Sequence, residues 1–207
     1  MTEDPTTNAT APGNPKRKQR RKPRPATPER LRKAALSYID RYVTSASNLR
    51  EVLMRRVRRS ARLHDTDLEE ATGWADAIVA DFVARNLVND TLYAENRALS
   101  LYRAGASRRK IEISLKTKGV GAADISTALD ALDETDPDAE FTAACRHAQR
   151  RRLGPWRRDD RAARRDRDLA AMARAGFCYR MASRVIDAAD IETLEDEAAE
   201  RAAERNG

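Results

Sequence analysis

Leu115-Lys-Thr-Lys-Gly119 and Met172-Ala-Arg-Ala-Gly176 open two stretches of this chain that share one pattern. Each Gly is followed by six residues and then by Ser-x-x-(Leu/Ile)-Asp-Ala, at residues 126–131 and 183–188. An apolar residue, a helix-stopping Gly and a hexapeptide that recur in register indicate a helical module used more than once. Because repeated modules usually form an extended binding surface, the pattern favours binding over catalysis.

The composition favours helices arranged in thin layers. Charged residues make up 35% of the chain and aromatic residues only 5%, which leaves little for one thick core. Ala, Arg, Leu, Asp and Glu dominate, while Gly and Pro are sparse between residues 29 and 190. We therefore predict an all-α protein built from tandem three-helix repeats.

The chain has two charged ends and a folded middle. Residues 1–28 mix Thr, Pro and Asn with seven Lys/Arg residues, and such a segment buries too little apolar surface to offset the entropy of ordering. Residues 190–207 hold seven acidic residues against two Arg. We predict a disordered basic arm at 1–28, three-helix modules at 29–88, 89–134 and 135–190, and an acidic tail at 191–207.

Local signals predict where several helices begin and end. Pro28 sits where a first helix would start, and Gly119 and Gly176 sit where later helices would stop. In the acidic tail, the few apolar positions predict fraying or disorder beyond about Ala198. The predicted N-terminal caps are Asn48 with Glu51, Thr66 with Glu69, Asp90, Ser107, and Asp136 followed by Pro137.

The net charge of +7 is unevenly distributed along the folded part. Six Arg residues crowd positions 50–62, and ten crowd positions 146–168. This distribution suits a polyanion or an acidic protein surface. Two classes of function are compatible with it: a regulator that binds a protein partner, and a non-specific nucleic-acid-binding protein that contacts backbone phosphates.

Residues that carry chemistry in enzymes are few and scattered. His64 and His147 have no second ligand at metal-binding spacing, and Cys145 and Cys178 are isolated. A Gly-rich phosphate loop is also missing. We therefore predict no catalytic residue, no metal and no cofactor. Without an apolar export signal or membrane-spanning stretch, the sequence predicts a cytoplasmic monomer.

Several short motifs occur in a fixed order along residues 29–190. Each one by itself is ordinary helix chemistry, but their order is harder to obtain by chance. They are Ala34-Ala-Leu-Ser-Tyr-Ile-Asp-Arg-Tyr42, Ser47-Asn-Leu-Arg50, Leu87-Val-Asn-Asp-x-x-Tyr-Ala94, Arg103-Ala-Gly-Ala-Ser107 with Ile111, Leu115 and Lys118-Gly-Val120, Arg150-Arg-Arg-Leu-Gly-Pro-Trp-Arg157, and Arg174-Ala-Gly-Phe177.

Together these motifs resemble the RecX family of recombination regulators, and those of the third module look like the form found in alphaproteobacteria. The resemblance implies a curved, elongated array of three-helix repeats that lies in the groove of the RecA filament and contacts successive protomers. It also implies that RecA ATP hydrolysis and strand exchange are inhibited. The basic arm and the acidic tail lie outside the resemblance.

The candidate partner-binding residues are the basic clusters and one Trp. The arginines between positions 50 and 62 also suit an ordinary solvated helix face, and Trp156 either packs on a partner or anchors its loop to the core. The candidates are Arg55, Arg56, Arg58, Arg59, Arg108, Arg109, Lys110, Lys116, Lys118, Arg150, Arg151, Arg152, Trp156, Arg157 and Arg158.

Overall fold

The computed structural model describes residues 24–206, and every regular element in that range is helical. Ten α-helices and one 3-10 turn, Gly154–Trp156, follow one another without a strand in this part of the chain, which confirms the all-α prediction. The helices are α1 Pro28–Ile39, α2 Ala46–His64, α3 Leu68–Ala84, α4 Asp90–Arg103, α5 Arg108–Thr117, α6 Ala122–Thr135, α7 Ala139–Arg151, α8 Arg161–Arg174, α9 Tyr179–Ile186 and α10 Ile191–Asn206.

The predicted arm and tail differ from the observed ends. Residues 1–23 of the arm lie outside the described residues, but Ala26 donates its N–H to Ser60 Oγ at 2.7 Å and Pro28 already belongs to α1. The predicted fraying beyond Ala198 is wrong, because α10 continues to Asn206. Ala and Glu favour helix, and the buried Leu194 anchors this one.

The predicted starts of α1 and α5 are confirmed, but the predicted caps of α2 and α3 are wrong. Ser45, not Asn48, caps α2 by accepting the Asn48 N–H at 3.2 Å. Asp67, not Thr66, caps α3, because the Thr66 hydroxyl is bonded to Ser60 Oγ. Ser107 accepts the Lys110 N–H as predicted.

The predicted caps of α4 and α7 are wrong because their carboxylates have tertiary partners. Asp90 accepts the Ala46 N–H at 2.7 Å, so Asn89 caps α4 instead. Asp136 is hydrogen-bonded to the hydroxyls of Tyr102 and Thr142, and α7 begins three residues later, at Ala139. An acid at a helix start is therefore a cap only when nothing else competes for it.

The repeated hexapeptide has the same structural role in both copies. Its Ser donates to its own Asp one helical turn later, from Ser126 to Asp130 at 3.3 Å and from Ser183 to Asp187 at 2.6 Å. Each Asp also pairs with an Arg of the preceding helix, Arg108 for Asp130 and Arg165 for Asp187. The repeat thus fixes the third helix of a module against its second.

A second repeated contact joins each module to the next. The Ser45 hydroxyl, at the start of α2, donates to the Lys118 carbonyl at the end of α5 at 2.6 Å. The Ser107 hydroxyl, at the start of α5, donates to the Ala175 carbonyl at the end of α8 at 2.8 Å. The equivalent residue at the start of α8 is Asp160, whose side chain makes no capping bond.

Backbone N–H groups strengthen both junctions. Just as Asp90 of α4 accepts from Ala46, Glu140 of α7 accepts the Arg108 N–H at 2.8 Å. The junction from α2 to α5 and that from α5 to α8 are thus two copies of one head-to-tail contact. Because this contact repeats, we propose that the folded part is divided into three modules, as the sequence predicts.

The core consists of two clusters rather than three. Helices α1–α3 bury one cluster, in which Leu53 and Phe82 are fully enclosed. Helices α4–α9 share the other, around Leu115 and Met172, and Leu194 of α10 adds to it. The second and third modules therefore form one continuous core, and the first module has its own.

Candidate partner-binding grooves

Three of the candidate cations are paired with acids on exposed helix faces. Arg58 lies 3.4 Å from Glu51, Lys116 lies 2.5 Å from Glu112, and Arg108 pairs with Asp130 and Asp133. All of these side chains are at least two-fifths exposed. They form solvated helix faces, in which exposed pairs contribute little to stability or to binding.

Arg157 holds the Gly154–Trp156 turn in place. Its guanidinium group forms a two-pronged ion pair with Asp168, with Nε–Oδ2 at 3.0 Å and Nη2–Oδ1 at 2.5 Å. Asp168 is only 1% exposed and also accepts the Gly154 N–H at 3.0 Å. Trp156, next to Arg157, is half-buried and packs against the α4–α9 core. The geometry therefore favours a structural role for both residues.

Four cations of the second and third modules line one groove between α5, α7 and α8. This junction groove has a volume of about 470 Å³ and presents Lys110, Arg150, Arg151 and Arg174 around His147. A shallower hollow with Arg109 continues it past Lys110 and Arg174. Its described lining contains no acidic residue, so the positive charge is uncompensated within this part of the chain.

The cations of the junction groove affect the pKa of His147. Its side chain is buried beside Phe177, with ring centroids 5.6 Å apart. Burial lowers the pKa of His147, and the positive charges of Arg150, Lys110 and Arg151 lower it further. The imidazole is therefore neutral at physiological pH, and an anion in the groove would raise its pKa.

A second cation-lined surface lies on the first module, between α1 and α2. This arginine groove has a volume of about 690 Å³, and Leu31, Tyr38 and Val52 line it with apolar side chains. None of its arginines has a carboxylate partner among the described residues. They are Arg24, Arg30, Arg55, Arg56 and Arg59.

Lys118 lines a smaller hollow at the first junction, in the position that the junction groove occupies at the second. This hollow, of about 380 Å³, also contains Arg97, whose buried Nε has no hydrogen-bond partner in the described part of the chain. Arg97 and His147 occupy equivalent positions in the two modules. Each follows by seven residues the acid that accepts a backbone N–H across the junction, Asp90 in one case and Glu140 in the other. The repeat therefore places a hollow with a basic side chain at both junctions.

The structure thus brings together some candidates and separates others. Arg152, in a left-handed conformation at the end of α7, and the exposed Arg158 lie outside the linings of both grooves. Sequence reasoning missed Arg174 and His147 in one groove and Arg24 and Arg30 in the other. Arg174 precedes the stop at Gly176, a position that the repeat itself marks as a module junction.

Among the described residues, no helix is long and apolar enough to cross a bilayer. In the same residues, no group of three His, Cys, Asp or Glu side chains is placed to hold a metal ion.

Helical modules joined head to tail, with cation-lined grooves between their helices, define a helical-repeat protein. No family model matches the chain. The chain is 42% identical over 180 residues to the regulatory protein RecX of Myxococcus xanthus (strain DK1622), covering 84% of this chain and 95% of that protein. It is 30% identical over 158 residues to the regulatory protein RecX of Agrobacterium fabrum (strain C58), covering 75% and 80%. The chain belongs to the RecX family of regulatory proteins.

A solved structure supports the fold. The crystal structure of a regulatory protein RecX superposes with a TM-score of 0.56 at 19% identity, covering 77% of this chain and 71% of that one. At this identity, the likeness shows a shared helical-repeat fold.

Proposed function

We propose that this protein regulates recombination and DNA repair in the cytoplasm by binding in the groove of the RecA filament. Its binding inhibits RecA ATP hydrolysis and strand exchange. Membership of the RecX family and the helical-repeat fold support this role. Occupying the filament groove needs no catalytic residue, so we propose a binding regulator and not an enzyme.

The observation that carries the proposal is the uncompensated charge of the junction groove. Four cations converge there without an acid in the described lining, and a partner's carboxylates would pair with them. Contacts at successive modules gain from one another through a high effective concentration. The protein therefore binds a polymer of RecA tightly and a single RecA subunit weakly.

Non-specific nucleic-acid binding is the second candidate, and the same groove favours it. Phosphates fit a cation-lined hollow as well as carboxylates do, and the described lining of the junction groove has no Phe, Tyr or Trp on which a base could stack. Such binding would be independent of base sequence and sensitive to salt.

One comparison separates the two functions. RecA ATPase on single-stranded DNA is measured with and without this protein while naked DNA is added in excess. Filament binding predicts inhibition that excess DNA does not relieve. Inhibition that disappears with excess DNA would mean competition for DNA and would contradict the proposal.

A charge-reversal variant tests the groove. Replacing Arg150 and Arg151 by Glu removes two charge-assisted contacts of roughly 1.5–3 kcal/mol each, so we expect the concentration for half-inhibition to rise about tenfold or more. The melting temperature should stay unchanged, because both side chains lack internal partners in the described residues. The matched control is Arg164→Glu with Arg180→Glu, on exposed residues outside the groove. An equal loss in the control would refute a specific role of the groove.

A further inference from the structure

The proposed function leaves the arginine groove of the first module without an occupant. Its rim carries five guanidinium groups, but its floor is apolar, formed by the buried Leu31 and Val52 with Tyr38. Phosphates would satisfy the rim and leave this floor uncovered. The groove instead suits a helix that combines acidic side chains with a small apolar residue, as in helix-in-groove recognition.

The outer face of α10 has this chemistry. At 100° per residue, Glu192, Glu195, Asp196 and Glu200 form one stripe that also contains Ala199. All five residues are exposed, and the four acids form no ion pair with described residues. The stripe is therefore an exposed acidic surface that includes one methyl group.

The opposite face of α10 is fixed to the third module. Leu194 is 3% exposed in the α4–α9 core. Glu197 pairs with Arg184 at 2.7 Å, and Arg184 stacks on Phe141 at 3.9 Å. Because these contacts hold α10 against α9 and the α4–α9 core, its acidic stripe is presented outward while α10 remains docked.

We propose that the arginine groove of one copy binds the acidic outer face of α10 from a second copy. Five arginines then meet four acids, and the Ala199 methyl group faces the apolar floor. The two surfaces are different, so the contact is heterologous and each copy keeps a free groove at one end and a free α10 at the other. Copies therefore add in an open row unless the geometry closes a ring.

This association goes beyond filament binding and does not depend on it. Each exposed ion pair contributes little and is screened by salt, since the Debye length falls from about 10 Å at 0.1 M to about 3 Å at 1 M. The monomer predicted from the sequence is thus the high-salt form, and low salt favours rows of copies.

Sedimentation velocity on the full chain tests the proposal in the absence of RecA. The weight-average mass should rise with protein concentration at about 0.1 M salt and return to that of a monomer at about 1 M. A groove variant, Arg55→Glu with Arg59→Glu, and a helix variant, Glu195→Arg with Asp196→Arg, should each associate at least about tenfold more weakly, because each places like charges opposite one another.

The decisive sample is an equimolar mixture of the two variants. The reversed groove of one variant then faces the reversed helix of the other. The unmodified groove of the helix variant faces the unmodified α10 of the groove variant, so we expect association to return. Circular dichroism melting verifies folding, and Arg164→Glu with Arg180→Glu is the control of equal charge change, expected to associate like the unmodified chain.

Three results would overturn the proposal. The first is a monomer at every concentration in low salt, and the second is a mixture that fails to associate. The third is a groove variant that loses binding to a single-stranded oligonucleotide while self-association is unchanged, which would assign the groove to nucleic acid. Loss of RecA inhibition alone would bear on the proposed function and not on this contact.

Discussion

Asp168 shows how one residue decides the role of its neighbours. Its carboxylate is almost fully enclosed, and burial alone would raise its pKa. The ion pair with Arg157 and the hydrogen bond from the Gly154 N–H outweigh burial and hold the pKa of Asp168 below its usual value. The side chain therefore stays ionised and ties α8 to the turn that follows α7.

Removing the guanidinium group of Arg157 should strongly reduce the stability of the folded chain. We expect Arg157→Ala to lower the free energy of unfolding by about 3 kcal/mol, because it leaves a buried carboxylate without its partner. Arg158→Ala is the matched control and should change it by less than about 0.5 kcal/mol, since Arg158 is exposed. Urea unfolding at neutral pH measures both, and equal effects would contradict the structural role of Arg157.

Asp168→Asn adds a pH dependence to the same test. The pKa of Asp168 is lowered in the folded state, so its contribution is complete above the unfolded pKa of about 3.9 and is lost as the pH falls through the folded value. The stability difference between the native chain and the variant should shrink as the pH falls below about 4. A difference that is constant with pH would exclude this carboxylate as its source.

At the scale of residues, the sequence predicts which residue types matter, but not which of two neighbouring arginines forms the buried ion pair. Arg157 and Arg158 are equivalent in sequence, each in an arginine-rich segment. They differ only because Asp168 is brought against one of them by the packing of α8, which a local pattern does not contain.

At the scale of elements, the junctions depend on two glycines at which side chains from the preceding module approach the backbone. Gly119 has φ +70°, and a Cβ there would lie 2.1 Å from Ser47 Oγ. Gly176 has φ +96°, and a Cβ there would lie 2.5 Å from Ser107 Oγ. The repeated Gly therefore ends a helix and also makes room for the neighbouring module.

A pair of Gly→Ala substitutions separates these effects from helix propensity. We expect Gly119→Ala to destabilise the chain by about 2 kcal/mol, through the left-handed backbone and the contact with Ser47. Gly73→Ala, in the middle of α3 with nothing within 4 Å, should stabilise it by roughly 0.5–1 kcal/mol. Thermal and urea unfolding of both variants gives the comparison, and a neutral Gly119→Ala would argue against tight packing at the junction.

Helix ends were predictable where a local rule has no competitor. Gly119 and Gly176 stop helices as predicted, because a positive φ is an intrinsic need of the backbone there. The start of α4 was misplaced because Asp90 bonds to Ala46 of the first module. Capping predictions fail in this chain where tertiary contacts recruit the same short polar side chains.

On the scale of the whole molecule, two cores imply two units of stability. Leu53 lies in the core of α1–α3 and Met172 in that of α4–α9, and both are fully buried. Replacing either by Ala should cost about 2–5 kcal/mol. Leu53→Ala should speed amide hydrogen exchange mainly in α1–α3, and Met172→Ala mainly in α4–α9.

Native-state hydrogen exchange with Leu63→Ala as the control tests this division, because Leu63 is 54% exposed. A uniform rise in exchange along the chain in both variants would show one cooperative unit instead of two.

The architecture was predictable because the repeat, the helix-favouring composition and the family motifs agree. The grooves were not, because each is lined by residues far apart in sequence, such as Lys110 and Arg174, or Arg24 and Arg59. Charge runs in the sequence include both the cations paired within the chain and those left free for a partner, and only packing separates them.

The head-to-tail contact also limits how this architecture can lengthen. At the start of α2 and of α5, a Ser hydroxyl donates to a carbonyl of the following module. The third module has Asp160 in that position, and its side chain lacks the hydroxyl donor that Ser45 and Ser107 supply. A further module after α9 would therefore place two acceptors face to face at this contact. A fourth module in the same arrangement would need a hydrogen-bond donor at residue 160 to repeat this contact, so the chemistry of one side chain sets how readily the array can lengthen.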